Sequence, residues 1–135
     1  MTRRQWFLVF FILPALFTIS SEHSTVVGDP LVATFSIAAV DLSNGDVGVA
    51  VQSKFPNVRP VVPWAEVGVG AVATQSFVNV SYGSKGLTLM RNGATAEEAL
   101  KILIANDSAR HSRQAGIVDA KGNAASWTGN ECFDW

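Results

Sequence analysis

The sequence predicts an α+β sandwich in which helices cover a sheet core. Three observations carry that expectation. The strand-forming runs come first, two helix-forming runs follow, and strand-forming runs return before the chain ends. One strand segment, Val67 to Ala73, is apolar at every position but its glycines, so both of its faces need cover. No repeat or low-complexity segment points to a solenoid or a disordered chain.

The first element is a hairpin. Ala33 to Val40 is rich in β-forming and small residues, Asp41-Leu-Ser-Asn-Gly-Asp46 is turn-forming, and Val47 to Lys54 alternates as a strand again. Pro56, Pro60 and Pro63 exclude a regular helix from residues 55–63 and predict a shaped loop next to the strand ends. Trp64 to Gln75 reads as a third strand. A short helix is expected over Lys85 to Asn92, where Leu87 and Met90 share a face and Gly93 supplies the stop. The second helix is better signed. Thr95 and Glu98 form a capping box, and Ala96, Ala99, Leu100, Leu103 and Ile104 form one apolar stripe that runs to about Asn106. Gln114 to Ala120 and Asn123 to Thr128 flank Lys121-Gly122, which predicts a closing hairpin.

The 135 residues and formal net charge of −1 allow one domain with an adequate but not generous core. Charges of both signs are interspersed and give no basic footprint for nucleic acid. Cys132 is the only cysteine, which excludes an internal disulfide and a cysteine-based zinc site. His23 and His111 lie too far apart for a paired ligand motif, so no metal and no cofactor are expected. Arg3-Arg4 followed by the apolar run Trp6 to Phe17, with Ser20 and Ser21 beyond, matches a secretory signal over residues 1–21. The run is too short to cross a bilayer, and Pro14 interrupts it, so no stable membrane span is expected once the signal is removed. Residues 22–33 read as a propeptide or linker, and residues 34–135 as the domain. The expected location is secreted or periplasmic.

Thr34 is the residue that points to chemistry. If the chain is cut before it, one residue carries a hydroxyl nucleophile and a free α-amine, whose pKa of roughly 7.7–8 suits a general base near neutral pH. Leu31, three residues before that cut, is a poor residue for signal peptidase, so self-cleavage or another protease is implied. On a strand Ser53 and Lys54 point to opposite sides, so only one of them aims directly at Thr34; Lys54 is favoured.

Several blocks in order carry a family resemblance: Ala-Thr-Phe-Ser-Ile-Ala-Ala-Val-Asp (33–41), Gly-Val-Ala-Val-Gln-Ser-Lys-Phe-Pro (48–56), Val-Val-Pro-Trp-Ala-Glu-Val-Gly-Val-Gly-Ala-Val-Ala-Thr-Gln (61–75), Ser-Tyr-Gly (81–83), Arg-Gln-Ala-Gly-Ile-Val-Asp-Ala (113–120) and Cys-Phe-Asp-Trp (132–135). Residues 34–135 resemble the amino-terminal part of the domain-of-unknown-function 1028 family, within the N-terminal-nucleophile (Ntn) hydrolase superfamily. The resemblance implies an Ntn-hydrolase-like αββα sandwich, incomplete at the C-terminus because members continue past the position of Trp135. Absent strands would leave an open edge and an uncovered apolar face.

The resemblance also implies roles. Thr34 is the nucleophile on an amide or related acyl carbonyl, with Lys54 as a neighbouring positive charge that keeps the amine neutral, and Ser53 beside it. Gln75, Asn79 and Tyr82 are candidates for binding a substrate amide, with turn formation as the plain alternative. Glu66 and Trp64 read as pocket wall or packing, and Arg113 and Gln114 as a solvated cluster near His111. The triplets Asn79-Val80-Ser81 and Asn106-Asp107-Ser108 fit the glycosylation pattern. Two functional expectations result: an exported hydrolase acting on a small amide or peptide, and a non-catalytic envelope or binding domain that keeps the sandwich. Homo-oligomerisation is left open.

Overall fold

The computed structural model describes residues 34–132. Residues 1–21, expected to be a signal, residues 22–33, expected to be a propeptide or linker, and the tail Phe133-Asp134-Trp135 lie outside the described residues. Among the described residues the fold is α+β, with two antiparallel sheets, two α-helices and one 3-10 turn at Arg110–Ser112.

Strands β1 (Thr34–Val40) and β2 (Val47–Ser53) form the first sheet, in a register that pairs Thr34 with Ser53 and Val40 with Val47. Their turn is built by side chains. Asp41 accepts from the Ser43 N–H at 2.8 Å and the Ser43 hydroxyl at 2.6 Å, and Asn44 accepts from the Asp46 N–H at 2.9 Å. These local bonds take up backbone groups that would otherwise compete for the ladder.

The second sheet has the order β3-β4-β5-β6, from strands Pro63–Glu66, Gly70–Ser76, Arg113–Asp119 and Ala124–Thr128. The single strand expected over 64–75 is therefore two. Gly68 has φ +74° and Gly70 φ +148°, conformations that favour glycine, and the chain reverses between them while Val67 stands 83 % exposed. The doubly apolar strand is confirmed for β4, buried along its length from Gly70 to Gln75.

Helix α1 (Ser81–Arg91) begins four residues earlier than the apolar periodicity suggests. The Asn79 side chain accepts from the Ser81 N–H at 3.1 Å and from the Ser81 hydroxyl at 2.8 Å, which prepares the first turn. Helix α2 (Ala96–Ala105) carries the expected Thr95/Glu98 capping box. Both helices lie against one face of the four-stranded sheet, where Val72, Ala115 and Ile117 meet Leu87, Met90, Leu100 and Leu103. Gly86 lets α1 approach closely, since a Cβ there would sit 3.1 Å from Val72. Strands β1 and β2 pack on the sheet's other face.

Among the described residues, nothing packs over the outer face of the β1–β2 sheet. Phe35 and Ile37 are each 61 % exposed, with Ala39 and Ala50 beside them on the same face. No helix among the described residues is long and apolar enough to cross a membrane.

Candidate functional site

Pairing in the first hairpin sets Thr34 opposite Ser53, and their hydroxyl oxygens lie 2.8 Å apart. Ser53 Oγ also accepts the Phe55 N–H at 3.0 Å, which fixes the chain as it leaves β2. Ser53 thus presents its side chain to Thr34. Lys54 is the next residue, exposed and just past the end of β2.

Gln75 reaches the same place from β4. It is only 7 % exposed, and its carboxamide meets the edge of β1 that β2 does not use. With both ends satisfied, its nitrogen donates to the Thr34 carbonyl at 2.9 Å, and its oxygen accepts from the Ser36 N–H at 2.8 Å and from the Ser36 hydroxyl. The reverse orientation would set donor against donor and carbonyl against carbonyl. Gln75 is thus engaged by Thr34 and Ser36 of β1.

Asn79 and Tyr82 belong to a second cluster, around Asp107. That carboxylate accepts from Asn79 Nδ2 at 2.9 Å, the Tyr82 hydroxyl at 3.0 Å, Arg113 Nε at 3.0 Å and the Ala109 N–H at 2.9 Å. Burial by itself would raise the Asp107 pKa, but these four donors outweigh it and hold the carboxyl well below its usual range. Tyr82, 1 % exposed, is pushed up to about 12, first by burial and then by its bond to the Asp107 carboxylate. Arg113 is no solvated residue. Its side chain is 18 % exposed and also donates to the Phe77 carbonyl. Asp107 itself was legible only as part of a glycosylation triplet, and the Asn79 side chain of the other triplet is spent on Asp107 and Ser81.

A cleft of about 450 Å³ runs between α1 and α2 above this cluster, lined by Ser81, Ser84, Lys85, Thr88, Leu89 and Ile102 among others. None of Thr34, Ser53 and Gln75 lines it. The two groups of candidate residues therefore occupy separate features of the surface. Trp64 serves packing, with its ring over Gly83, and Glu66 forms a two-pronged ion pair with Arg91.

Comparison with known proteins places this geometry in a family. A crystal structure of protein SPO2555 from Silicibacter pomeroyi, itself assigned to DUF1028, superposes with a TM-score of 0.72 at 33% sequence identity. The match covers 76% of this chain and 46% of that one, so this chain spans less than half the length of that structure. No curated protein matches. The family described as a family of unknown function, DUF1028, matches residues 34–135, opening on the residue that begins β1. The chain belongs to the DUF1028 family.

Proposed function

We propose that this chain is an exported N-terminal-nucleophile hydrolase that cleaves an amide or related acyl bond, with Thr34 as nucleophile once residues 1–33 are removed. The observation that carries the reading is the position of Thr34. It is the first residue of β1 and of the family match, and its hydroxyl lies 2.8 Å from that of Ser53. A hydroxyl held at hydrogen-bond distance from a second hydroxyl has a partner to receive or relay its proton.

In this mechanism the freed α-amine takes the Thr34 hydroxyl proton while the oxygen adds to the substrate carbonyl, and backbone N–H groups stabilise the oxyanion. The protonated amine then gives its proton to the leaving group, an acyl-enzyme remains, and water releases it. Ser53 orients the Thr34 hydroxyl. Lys54 supplies positive charge near the strand end, which favours the neutral amine. The αββα sandwich of Ntn hydrolases accounts for the two stacked sheets with helices on one side; its second helical layer would cover the open face of β1 and β2.

That open face also favours a second reading, a non-catalytic domain that binds a partner through the exposed Phe35 and Ile37. Intact-mass analysis of the exported protein tests the first. A mature N-terminus at Thr34, absent as a processed species in Thr34→Ala, supports the hydrolase. A start near Ser21 with residues 22–33 retained overturns it.

A further inference from the structure

Strand β1 is paired along one edge by β2, and the Thr34 carbonyl and Ser36 N–H, which flank Phe35, point the same way from the other edge. A neighbouring strand would offer them one donor and one acceptor. The Gln75 carboxamide offers the same pair, at 2.9 and 2.8 Å, so a single side chain stands in for a strand at the first three residues of β1. Gln75 is itself anchored. It lies in β4, which is paired on both sides, and faces Gln114 across the ladder to β5.

We propose that Gln75 is a positioning residue for the maturation of Thr34, an inference that rests on the self-cutting reading above. In that step the Thr34 hydroxyl adds to the Ala33 carbonyl carbon, its proton passes to the Thr34 nitrogen, and the C–N bond breaks to leave an ester. Water then hydrolyses the ester to the Ala33 carboxylate, the free Thr34 amine and the restored hydroxyl. The oxygen must approach the carbonyl of its own peptide while the chain downstream stays put. Gln75 holds the Thr34 carbonyl from the core side, and Ser53 holds the hydroxyl from across the hairpin. Rotation of the peptide after Thr34 would break the Gln75 contacts, so the backbone that carries the attacking hydroxyl is fixed relative to the sheet.

The test follows cutting of the full chain by intact mass, with circular dichroism to check folding. Gln75→Ala should slow cutting on the order of 100-fold, the scale of a nucleophile displaced by about 1 Å. Hydroxylamine, which cleaves esters, should not rescue it, because ester formation is the step lost. Gln75→Glu keeps the shape of the side chain but loses the donor to the Thr34 carbonyl. It should cut slowly where the carboxyl is ionised and recover, relative to the native chain, as pH falls and the carboxyl regains a proton to donate. A native rate in Gln75→Ala, rescue of that variant by hydroxylamine, or a Gln75→Glu profile parallel to the native one would each overturn the role of Gln75. Failure of the native chain to cut, or equal cutting in Thr34→Ala, would overturn the self-cutting reading and this inference with it.

Discussion

Thr34 and Ser53 meet hydroxyl to hydroxyl, 2.8 Å apart, at the open end of the first hairpin. Ser53 is also the acceptor for the Phe55 N–H, so one hydroxyl joins the start of β1 to the chain leaving β2. Ser53→Ala removes both contacts at a partly buried position. It should cost about 1 kcal/mol of stability in denaturant unfolding. If Ser53 orients the nucleophile, labelling of Thr34 by a threonine-directed β-lactone should fall by a larger factor than that loss accounts for. Labelling at the native rate would remove Ser53 from the chemistry.

Asp107 makes the fold sensitive to acid. Its carboxyl is held below the ordinary value in the folded chain, so the ionised form is the one the fold stabilises. The contribution is fully present above the unfolded carboxyl value of about 3.9 and is lost as pH falls through it toward the lower folded value. Thermal unfolding followed from pH 7 down to pH 2 should show the melting temperature falling below about pH 4. Asp107→Asn should flatten that fall and lower stability at pH 7 by about 3 kcal/mol, because Arg113 and the Tyr82 hydroxyl lose a buried charged partner.

The parts legible in the sequence are those that local chemistry dictates. Thr95 and Glu98 specify the start of α2 within a four-residue window, and the turn residues 41–46 specify the first hairpin. The break between β3 and β4 was hidden because Val67 and Val69 continue a strand-like pattern across it; only the backbone conformations of Gly68 and Gly70 reveal the reversal. The Asp107 cluster was hidden for a different reason. Its members come from the loop before α1, the first turn of α1, the segment after α2 and the start of β5, and no spacing in the chain announces that these meet. Gln75 was legible as a polar residue at a strand end, but two of its three partners are backbone atoms of β1, which no side-chain pattern encodes.

Gly83 lies on the face of α1 that meets β3, and a Cβ there would come within 2.1 Å of the Trp64 ring. In an exposed helix a glycine-to-alanine change gains up to about 1 kcal/mol of propensity. Here the ring is held by its own bond from Nε1 to the Val61 carbonyl and has little room to give. Gly83→Ala should therefore destabilise the fold by about 1–3 kcal/mol in urea unfolding, despite the better helix former. The double variant Gly83→Ala with Trp64→Leu should recover part of the loss; additivity of the two costs would show that the ring and the glycine are not in contact.

Asp119 closes the domain by joining two turns with one carboxylate. It is 5 % exposed, accepts the Ala96 N–H at the start of α2 at 3.1 Å, and accepts the Lys121 and Asn123 N–H groups of the β5–β6 turn at 2.9 and 3.0 Å. The Asn123 side chain adds a fourth bond at 2.9 Å. Burial by itself would raise its pKa, but these donors prevail and the carboxyl stays lowered. Its contribution to stability is thus lost on acidification in the same direction as that of Asp107. Asp119→Asn keeps the shape but sets an NH₂ against two of these four donors, since each oxygen accepts two, and should cost about 1–3 kcal/mol, the scale of a buried polar group left without its partner. Hydrogen exchange locates the effect: the amides of Ala96, Lys121 and Asn123 should lose protection together, whereas a loss confined to the hairpin would mean that α2 does not depend on this carboxylate.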